Sequence, residues 1–354
     1  MNIGMAFDQN LVRQACVTIE SILAVNRDEA VTFFFILLGV SDSDIELLKK
    51  NICGRASMHV YCVQEALLNK LPLHDLYLSP GTYLRLFFEQ MLSFEIEKLL
   101  YLDVDIIVTD SLLPLWSESL DGYSMAAARD YSCYRKSVYD RLGYDKNDLY
   151  FNAGVLLINL SYWRKNSVSR RALDFIAQNP EVCRYHDQDA LNYILHGTVK
   201  FISNRFNAMI YFFRKDSESF FNNHDEFVKI SEQLKNPAVI HYILSEKPWS
   251  RKYHSYKYPF ANLWFFFRKK SRVKIKLQKE RGRTGKFRQF VKTVLANCHL
   301  REPSLPPDYD DYFIDVSDTE SQLLQKMIPR SAVELPPSLC YYSSINYTRS
   351  SPHG

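Results

Sequence analysis

The run Val31-Thr32-Phe33-Phe34-Phe35-Ile36-Leu37-Leu38 contains no charged side chain and is β-branched, aromatic or aliphatic throughout. A half-solvated strand would alternate apolar with polar residues. An unbroken run of this length predicts a strand buried on both faces, the habit of parallel sheets. Upstream, residues 2–7 form a short apolar run that ends at Asp8, and residues 13–25 place Val17, Ile19, Ile22 and Leu23 at helical spacing. Downstream, residues 41–52 open with Ser41 and Asp44 in capping-box spacing and predict a helix, and residues 58–62 predict a third strand. The order β-α-β-α-β predicts an α/β fold with a parallel, Rossmann-like sheet.

Further along, residues 82–91 read as a helix and 99–102 as another buried strand, closed by Asp103-Val104-Asp105. Residues 124–128 form a strand leading to Asp130, and residues 151–160 a longer apolar strand opening with Asn152. A helix over 188–195 follows Asp187, and a last strand over 238–242 carries His241. Polar residues therefore recur where apolar strands run out, the edge at which open α/β sheets bind ligands.

The chain has 354 residues, 47% of them hydrophobic, enough for one large α/β domain and an appendage. Its seven cysteines are odd in number and scattered without a CxxC, which argues against a disulfide framework or zinc site and for a reducing compartment. The first residues enter an apolar strand with no basic n-region, so no signal peptide is expected. No apolar run approaches the ~20 residues that span a bilayer.

The chemistry is expected at Leu99-Leu100-Tyr101-Leu102-Asp103-Val104-Asp105. Two carboxylates in this spacing at a strand end can hold one hard divalent cation, Mg²⁺ or Mn²⁺, which can bridge a diphosphate. A nucleotide-sugar donor needs such a clamp, because charge develops on the leaving diphosphate as the glycosidic bond breaks. Other pairs with this spacing, such as Asp42-Ser43-Asp44 and Asp308-Tyr309-Asp310, do not directly close a buried strand.

The chain resembles the family 8 glycosyltransferases, above all the bacterial branch that adds galactose or glucose to lipopolysaccharide core. The resemblance runs from Asn2 to about Trp249. It rests on Ala6-Phe7-Asp8-Gln9-Asn10, Thr82-Tyr83-Leu84-Arg85, the strand ending in Asp103-Val104-Asp105, Phe151-Asn152-Ala153-Gly154, Asp187-Gln188-Asp189-Ala190-Leu191-Asn192, and His241-Tyr242 followed by Lys247-Pro248-Trp249, in that order.

It implies a GT-A fold, a UDP-hexose donor carrying glucose or galactose, Mn²⁺, and transfer with retention to a sugar hydroxyl of a glycan acceptor. It also implies that Asp103, Asp105 and His241 are the metal ligands, that Val104 joins the two acids in the donor-binding set, and that Lys247 meets the diphosphate. Asp8 and Asn10 would hold the uridine; Arg85, Asn152, Asp187 and Gln188 would contact the donor sugar; Asp130 would lie toward the acceptor. Gln188 stands where a double displacement would need a carboxylate, and an amide carbonyl is a poor nucleophile, so front-face substitution is expected.

Two departures bear on ligand contacts. Gln9 stands where an acid is common, and Ile243-Leu244-Ser245-Glu246 lacks the glycine often found there. Bland readings exist for several positions. Asp8 and Asn10 suit a turn, Asp187 a helix N-cap, and His241 a strand-end core.

After residue 260 the composition changes. Trp264-Phe265-Phe266-Phe267 precedes residues 268–292, which carry about a dozen Lys and Arg and almost no acid. Residues 1–260 are read as the catalytic domain, 261–300 as a basic aromatic segment for an anionic membrane surface, and 301–354 as a flexible tail with at most a short helix at 323–327. No nucleic-acid motif accompanies the charge. The expected location is the cytoplasmic face of the inner membrane, where a lipid-linked oligosaccharide acceptor would sit.

Two other functions fit parts of the pattern. One is a phosphatase with the first Asp as nucleophile, disfavoured by Ile107 and by the late position of the strand. The other is a non-catalytic nucleotide-sugar-binding protein, disfavoured by the intact set Asp103, Asp105, His241 and Lys247.

Overall fold

The buried run does form a strand with opposite faces in two cores. Phe33, Phe35 and Leu37 face one apolar cluster, and Phe34, Ile36 and Leu38 face another, on the other side of the same sheet. This is the two-residue period of a strand covered on both sides. The structure is a computed structural model describing residues 1–64, 68, 80–145, 147–243, 247–249, 258–274, 314 and 316–327.

Ten strands are described: β1 (Asn2–Asp8), β2 (Thr32–Leu38), β3 (Ser57–Val63), β4 (Lys98–Leu102), β5 (Ile106–Val108), β6 (Met125–Arg129), β7 (Phe151–Asn159), β8 (Val199–Ile202), β9 (Ala208–Met209) and β10 (Val239–His241). The helices are α1 (Val12–Val25), α2 (Asp42–Ile52), α3 (Phe88–Met91), α4 (Leu113–Trp116), α5 (Lys136–Leu142), α6 (Leu160–Lys165), α7 (Val168–Gln178), α8 (Asp187–Leu195), α9 (His224–Leu234), α10 (Ala261–Lys270) and α11 (Ser317–Met327).

The large sheet has seven strands in the order β3-β2-β1-β4-β7-β6-β8, and a small sheet runs β5-β10-β9. β1 to β4 are mutually parallel and β6 is parallel to β8, while β7 runs against both of its neighbours. Only β7 is reversed, so the sheet is mixed and mostly parallel. α1, α2 and α4 cover one face; α3, α6, α7 and α8 cover the other.

The reversal of β7 positions the site. Asp8, Asp103 and Asp130 follow or close the carboxyl ends of β1, β4 and β6, whereas Asn152 lies near the amino end of β7. Because β7 is antiparallel, its beginning meets the same edge at which its neighbours end.

Side-chain caps open α2, α6 and α9, at Ser41, Asn159 and Asn223. Ser41 caps α2, its Oγ accepting from Asp44 N at 3.3 Å. Residues 82–91 depart from the expected single helix: Pro80–Phe87 is a 3-10 helix that passes into α3. The tighter winding belongs to a segment holding Tyr83, Leu84 and Leu86 fully buried.

The C-terminal region also differs from expectation. α10 packs on α1, and Leu263, Trp264 and Phe267 are buried with Trp249, Tyr258 and Phe260. The boundary at 260/261 is therefore no break in packing, and two of the four consecutive aromatics are core residues; Phe265 and Phe266 are half-buried.

Within the expected flexible tail, α11 docks on α10 through Leu323 and Met327. Its Glu320 closes the amino end of α10, accepting from Leu263 N at 3.0 Å and Asn262 Nδ2 at 2.9 Å. Burial pushes this carboxyl up to about 7, against the lowering effect of those donors. The remaining tail, the basic residues beyond Lys274, and Leu244, Ser245 and Glu246 lie outside the described residues.

Candidate active site at the strand-end edge

Residues 103 and 241 are far apart in sequence and are joined by a short ladder. β5 follows Asp105 directly and pairs antiparallel with β10, Ile106 opposite His241. Tyr242 N donates to Asp105 O at 3.0 Å, and Asp103 N donates to Gly154 O at 2.9 Å. From below, the buried Thr18 hydroxyl of α1 lies 2.7 Å from Val104 O and 3.0 Å from Ile106 O. The acidic loop is thus fixed by backbone and core contacts on several sides.

Asp103, Asp105 and His241 each offer one ligand atom, and these atoms all lie within 4.8 Å of one another. His241 Nε2 is 3.3 Å from Asp105 Oδ1 and 3.9 Å from Asp103 Oδ2. Two carboxylates and an imidazole suit Mn²⁺ or Mg²⁺, the imidazole favouring the former. The space is kept by a missing side chain: a Cβ on Gly154 would stand 2.2 Å from His241 Cε1 and 3.0 Å from Asp103 Oδ2. The residues present therefore fit a small divalent ion.

Lys247 Nζ lies 2.6 Å from Asp105 Oδ2 and also donates to Tyr242 O. Burial pushes the Asp105 carboxyl up, but the neighbouring Lys247 and His241 outweigh it and hold the group well below the usual carboxylate range.

Arg85 crosses from the metal-type cluster to α8. Its Nη2 is 3.2 Å from Asp103 Oδ1, and its Nε is 2.7 Å from Asp187 Oδ2, a close ion pair outside hydrogen-bond angles. The guanidinium also donates to Ala153 O and lies 4.8 Å over the Tyr101 ring. Tyr101 donates to Asp103 Oδ1 at 2.6 Å, and Thr82 to Asp187 Oδ1 at 2.9 Å. Asp187 is the first residue of α8 and its side chain is spent on Arg85 and Thr82; the N-cap position falls to His186. The capping reading of Asp187 is thereby corrected.

A second polar network occupies the β6–β7 side. Asn152 Nδ2 donates to Asp130 Oδ2 at 3.0 Å, and Ser132 N and Oγ donate to Asp130 Oδ1 at 2.8 and 2.6 Å. Gln188 Oε1 accepts from Ala153 N at 2.9 Å, and its Nε2 donates to Tyr150 OH at 3.0 Å and approaches Asp130 Oδ2 at 3.5 Å. Asp189 points away into a sealed cluster, with 0% exposure, bound by Arg141 at 2.7 and 3.0 Å, by Tyr150 OH at 2.8 Å and by Tyr185 N at 2.6 Å.

Asp8 and Asn10 share the sheet edge but bond each other: Asn10 N donates to Asp8 Oδ1 at 2.9 Å, the turn that their residue types favour. Gln9 N is tied to Leu38 O at 3.1 Å. Sequence reading did not single out Gly154, Asn207, Tyr101, Thr82, Tyr150 or Arg141 as site residues. Gly154, Tyr101 and Thr82 sat within quoted motifs, whereas Asn207 lies in a 3-10 turn, Asn204–Asn207, with no pattern to mark it.

The profile of the family described as Glycosyl transferase family 8 matches residues 2–253. A lipopolysaccharide 1,2-glucosyltransferase of Escherichia coli is 27% identical over 263 residues, covering 73% of this chain and 76% of its own. The glycosyltransferase GlyB of Streptococcus pneumoniae is 32% identical over 248 residues, covering 69% of this chain and 55% of its own. Among solved structures, the galactosyltransferase LgtC in complex with donor and acceptor sugar analogs superposes with a TM-score of 0.69 at 27% identity, covering 78% of this chain and 98% of that one.

Proposed function

The chain belongs to glycosyl transferase family 8, a sugar-transferring enzyme of GT-A fold, and from this premise we propose that it moves glucose or galactose from a UDP-sugar to a hydroxyl of lipopolysaccharide core. The observation that carries the reading is the convergence of Asp103, Asp105 and His241 around a gap that Gly154 leaves open. These three residues would hold Mn²⁺, or Mg²⁺ in its place. The ion supplies charge neutralisation to the diphosphate when bound. The similarity of the chain to a lipopolysaccharide glucosyltransferase and to a galactosyltransferase supports the hexose and the acceptor class.

In this proposal Lys247 adds a point charge beside the same carboxylate, within reach of an anion sharing the site. Asp8, Asn10 and Val104 bind the nucleoside side of the donor. Arg85, Asp187, Asn152 and Gln188 orient the hexose, and Asp130 meets the acceptor. The acceptor hydroxyl attacks the anomeric carbon from the face that UDP leaves; the bond to the phosphate oxygen breaks, and that oxygen takes the hydroxyl proton. Two features favour this course over a covalent intermediate. Gln188 is an amide with both ends hydrogen-bonded, and Asp189 is locked by Arg141 in the interior. A sugar adduct trapped on Asp187 or Asp189 of the wild-type enzyme would contradict it.

The test is a screen of nucleotide sugars for UDP release. Release from UDP-glucose or UDP-galactose should depend on Mn²⁺ and fall about 100-fold or more in Asp103→Asn. Metal-independent release, or full activity in that variant, would end the reading.

Membrane association at the cytoplasmic face belongs to the same proposal. No helix among the described residues is long and apolar enough to cross a membrane. Lys269 and Lys270 are exposed at the end of α10, with Lys270 Nζ 4.4 Å over the Phe266 ring. Each basic residue near an anionic surface contributes ~1 kcal/mol. Co-flotation with phosphatidylglycerol vesicles should occur at low salt and weaken in Lys269→Glu/Lys270→Glu, with activity on a soluble acceptor retained. Equal flotation of both proteins would remove this α10 surface as the contact.

A further inference from the structure

Asn207 is fully buried, lies outside every motif that marks the site, and touches the imidazole of His241. Its orientation follows from a chain of donors that starts at the backbone. The Gly154 N–H can only donate, and it donates to Asn152 Oδ1 at 3.0 Å. The other end of that amide, Nδ2, donates to the Asp130 carboxylate at 3.0 Å. Asn152 is therefore held at both ends and cannot flip without placing N–H against N–H and oxygen against carboxylate.

Asn207 meets the same Asn152 Oδ1 at 2.9 Å and must present its Nδ2 there. Its Oδ1 then faces His241 Nδ1 at 2.8 Å, and an oxygen with no proton requires a donor opposite. The proton of His241 is placed on Nδ1. Nε2 is the nitrogen that faces Asp105 and Asp103.

We propose that Asn207 is a positioning residue that fixes His241 as the Nδ1–H tautomer, presents Nε2 to the divalent ion, and ties that orientation through Asn152 to Asp130 across the cleft. The inference rests on the metal reading above and extends it: the metal end and the acceptor end share one hydrogen-bonded amide pair. An imidazole ligand needs its second nitrogen anchored to hold ring angle and tautomer, and loss of such an anchor typically lowers metal affinity about 10- to 100-fold.

The test combines long-range ¹⁵N–¹H spectra of the full chain without metal with Mn²⁺ titration followed by electron paramagnetic resonance. Wild-type His241, assigned by its loss in His241→Gln, should carry its proton on Nδ1. Asn207→Leu, of similar volume but without an acceptor, should lose that preference and bind Mn²⁺ about 10- to 100-fold more weakly. Asn207→Asp keeps the acceptor for Nδ1–H but sets an oxygen against Asn152 Oδ1, so it should restore the Nδ1 proton without restoring the tie to Asn152, which a merely space-filling role would not do. A wild-type Nδ1 without a proton, or wild-type Mn²⁺ affinity in Asn207→Leu, overturns the proposal. Failure of the metal reading looks different: the wild-type enzyme would bind neither Mn²⁺ nor Mg²⁺ while His241 still showed the Nδ1–H signature.

Discussion

Replacing Gly154 with alanine is expected to lower Mn²⁺ affinity and sugar transfer together, each by about 100-fold. The cause is space and not backbone conformation, since Gly154 is not among the residues with positive φ. The new Cβ would meet His241 Cε1 at 2.2 Å, His241 Nδ1 at 2.9 Å and Asp103 Oδ2 at 3.0 Å. The first contact cannot persist. Relief by moving the strand is resisted, because Gly154 sits inside β7, whose flanking residue Val155 pairs with Leu102. Relief by moving the imidazole breaks its bond to Asn207 and turns Nε2 from the carboxylates. Overpacking of this kind costs about 1–3 kcal/mol of stability, so the variant should remain folded and its defect should lie in the site. Isothermal titration with Mn²⁺ beside a melting curve decides the matter; near-normal affinity would show that the cradle tolerates a methyl group.

The second large effect is expected at Arg85. Arg85→Gln should reduce kcat/KM by about 100- to 1000-fold and stability by ~3 kcal/mol. The guanidinium is the shared counter-charge of Asp103 and Asp187, and both carboxylates lose it at once. Burial already pushes the Asp187 carboxyl up, and Arg85 with Thr82 holds back part of that rise. Without Arg85 it rises further. A carboxyl raised in the folded state favours folding at low pH, and the advantage is lost as pH climbs through its folded value. The stability deficit of the variant should therefore widen from acid toward neutral pH. Arg85→Lys should not rescue, because one ammonium cannot span both carboxylates and the Ala153 carbonyl. Chemical denaturation across pH, paired with kinetics, checks both; a flat deficit would mean that Asp187 is not the group left exposed to burial.

Much of this arrangement was legible because it is encoded by strong local patterns. The run at 31–38 is legible because it is unbroken, apolar and rich in β-branched and aromatic residues, and Asp103-Val104-Asp105 announces itself by following one apolar strand. His241 was placed at a strand end, and its meeting with the acids follows from the β5–β10 ladder, a pairing of three residues too short to leave a periodic trace. The polarity of β7 was not legible at all. An apolar run says that a strand exists, not which way it runs, so Asn152 could be matched to the site by resemblance but not by position.

The buried ion pair of Arg141 with Asp189 was equally silent, since each residue has an ordinary surface type and the partners are brought together only by tertiary packing. The same holds for α11. Residues 301–354 are rich in turn formers, yet Leu323, Met327 and Glu320 find partners that only a completed α10 offers.

That last contact has a consequence for how the enzyme matures. The carboxylate that seals the start of α10 is synthesised 57 residues after the amide it serves. During translation the first turn of α10 and the apolar flank around Leu263 must wait, half-made, for material still inside the ribosome. A nascent or shortened chain ending before Ser317 would contain every side chain assigned to sugar transfer and still present an unfinished seam, the kind of surface that chaperones and proteases read as incomplete.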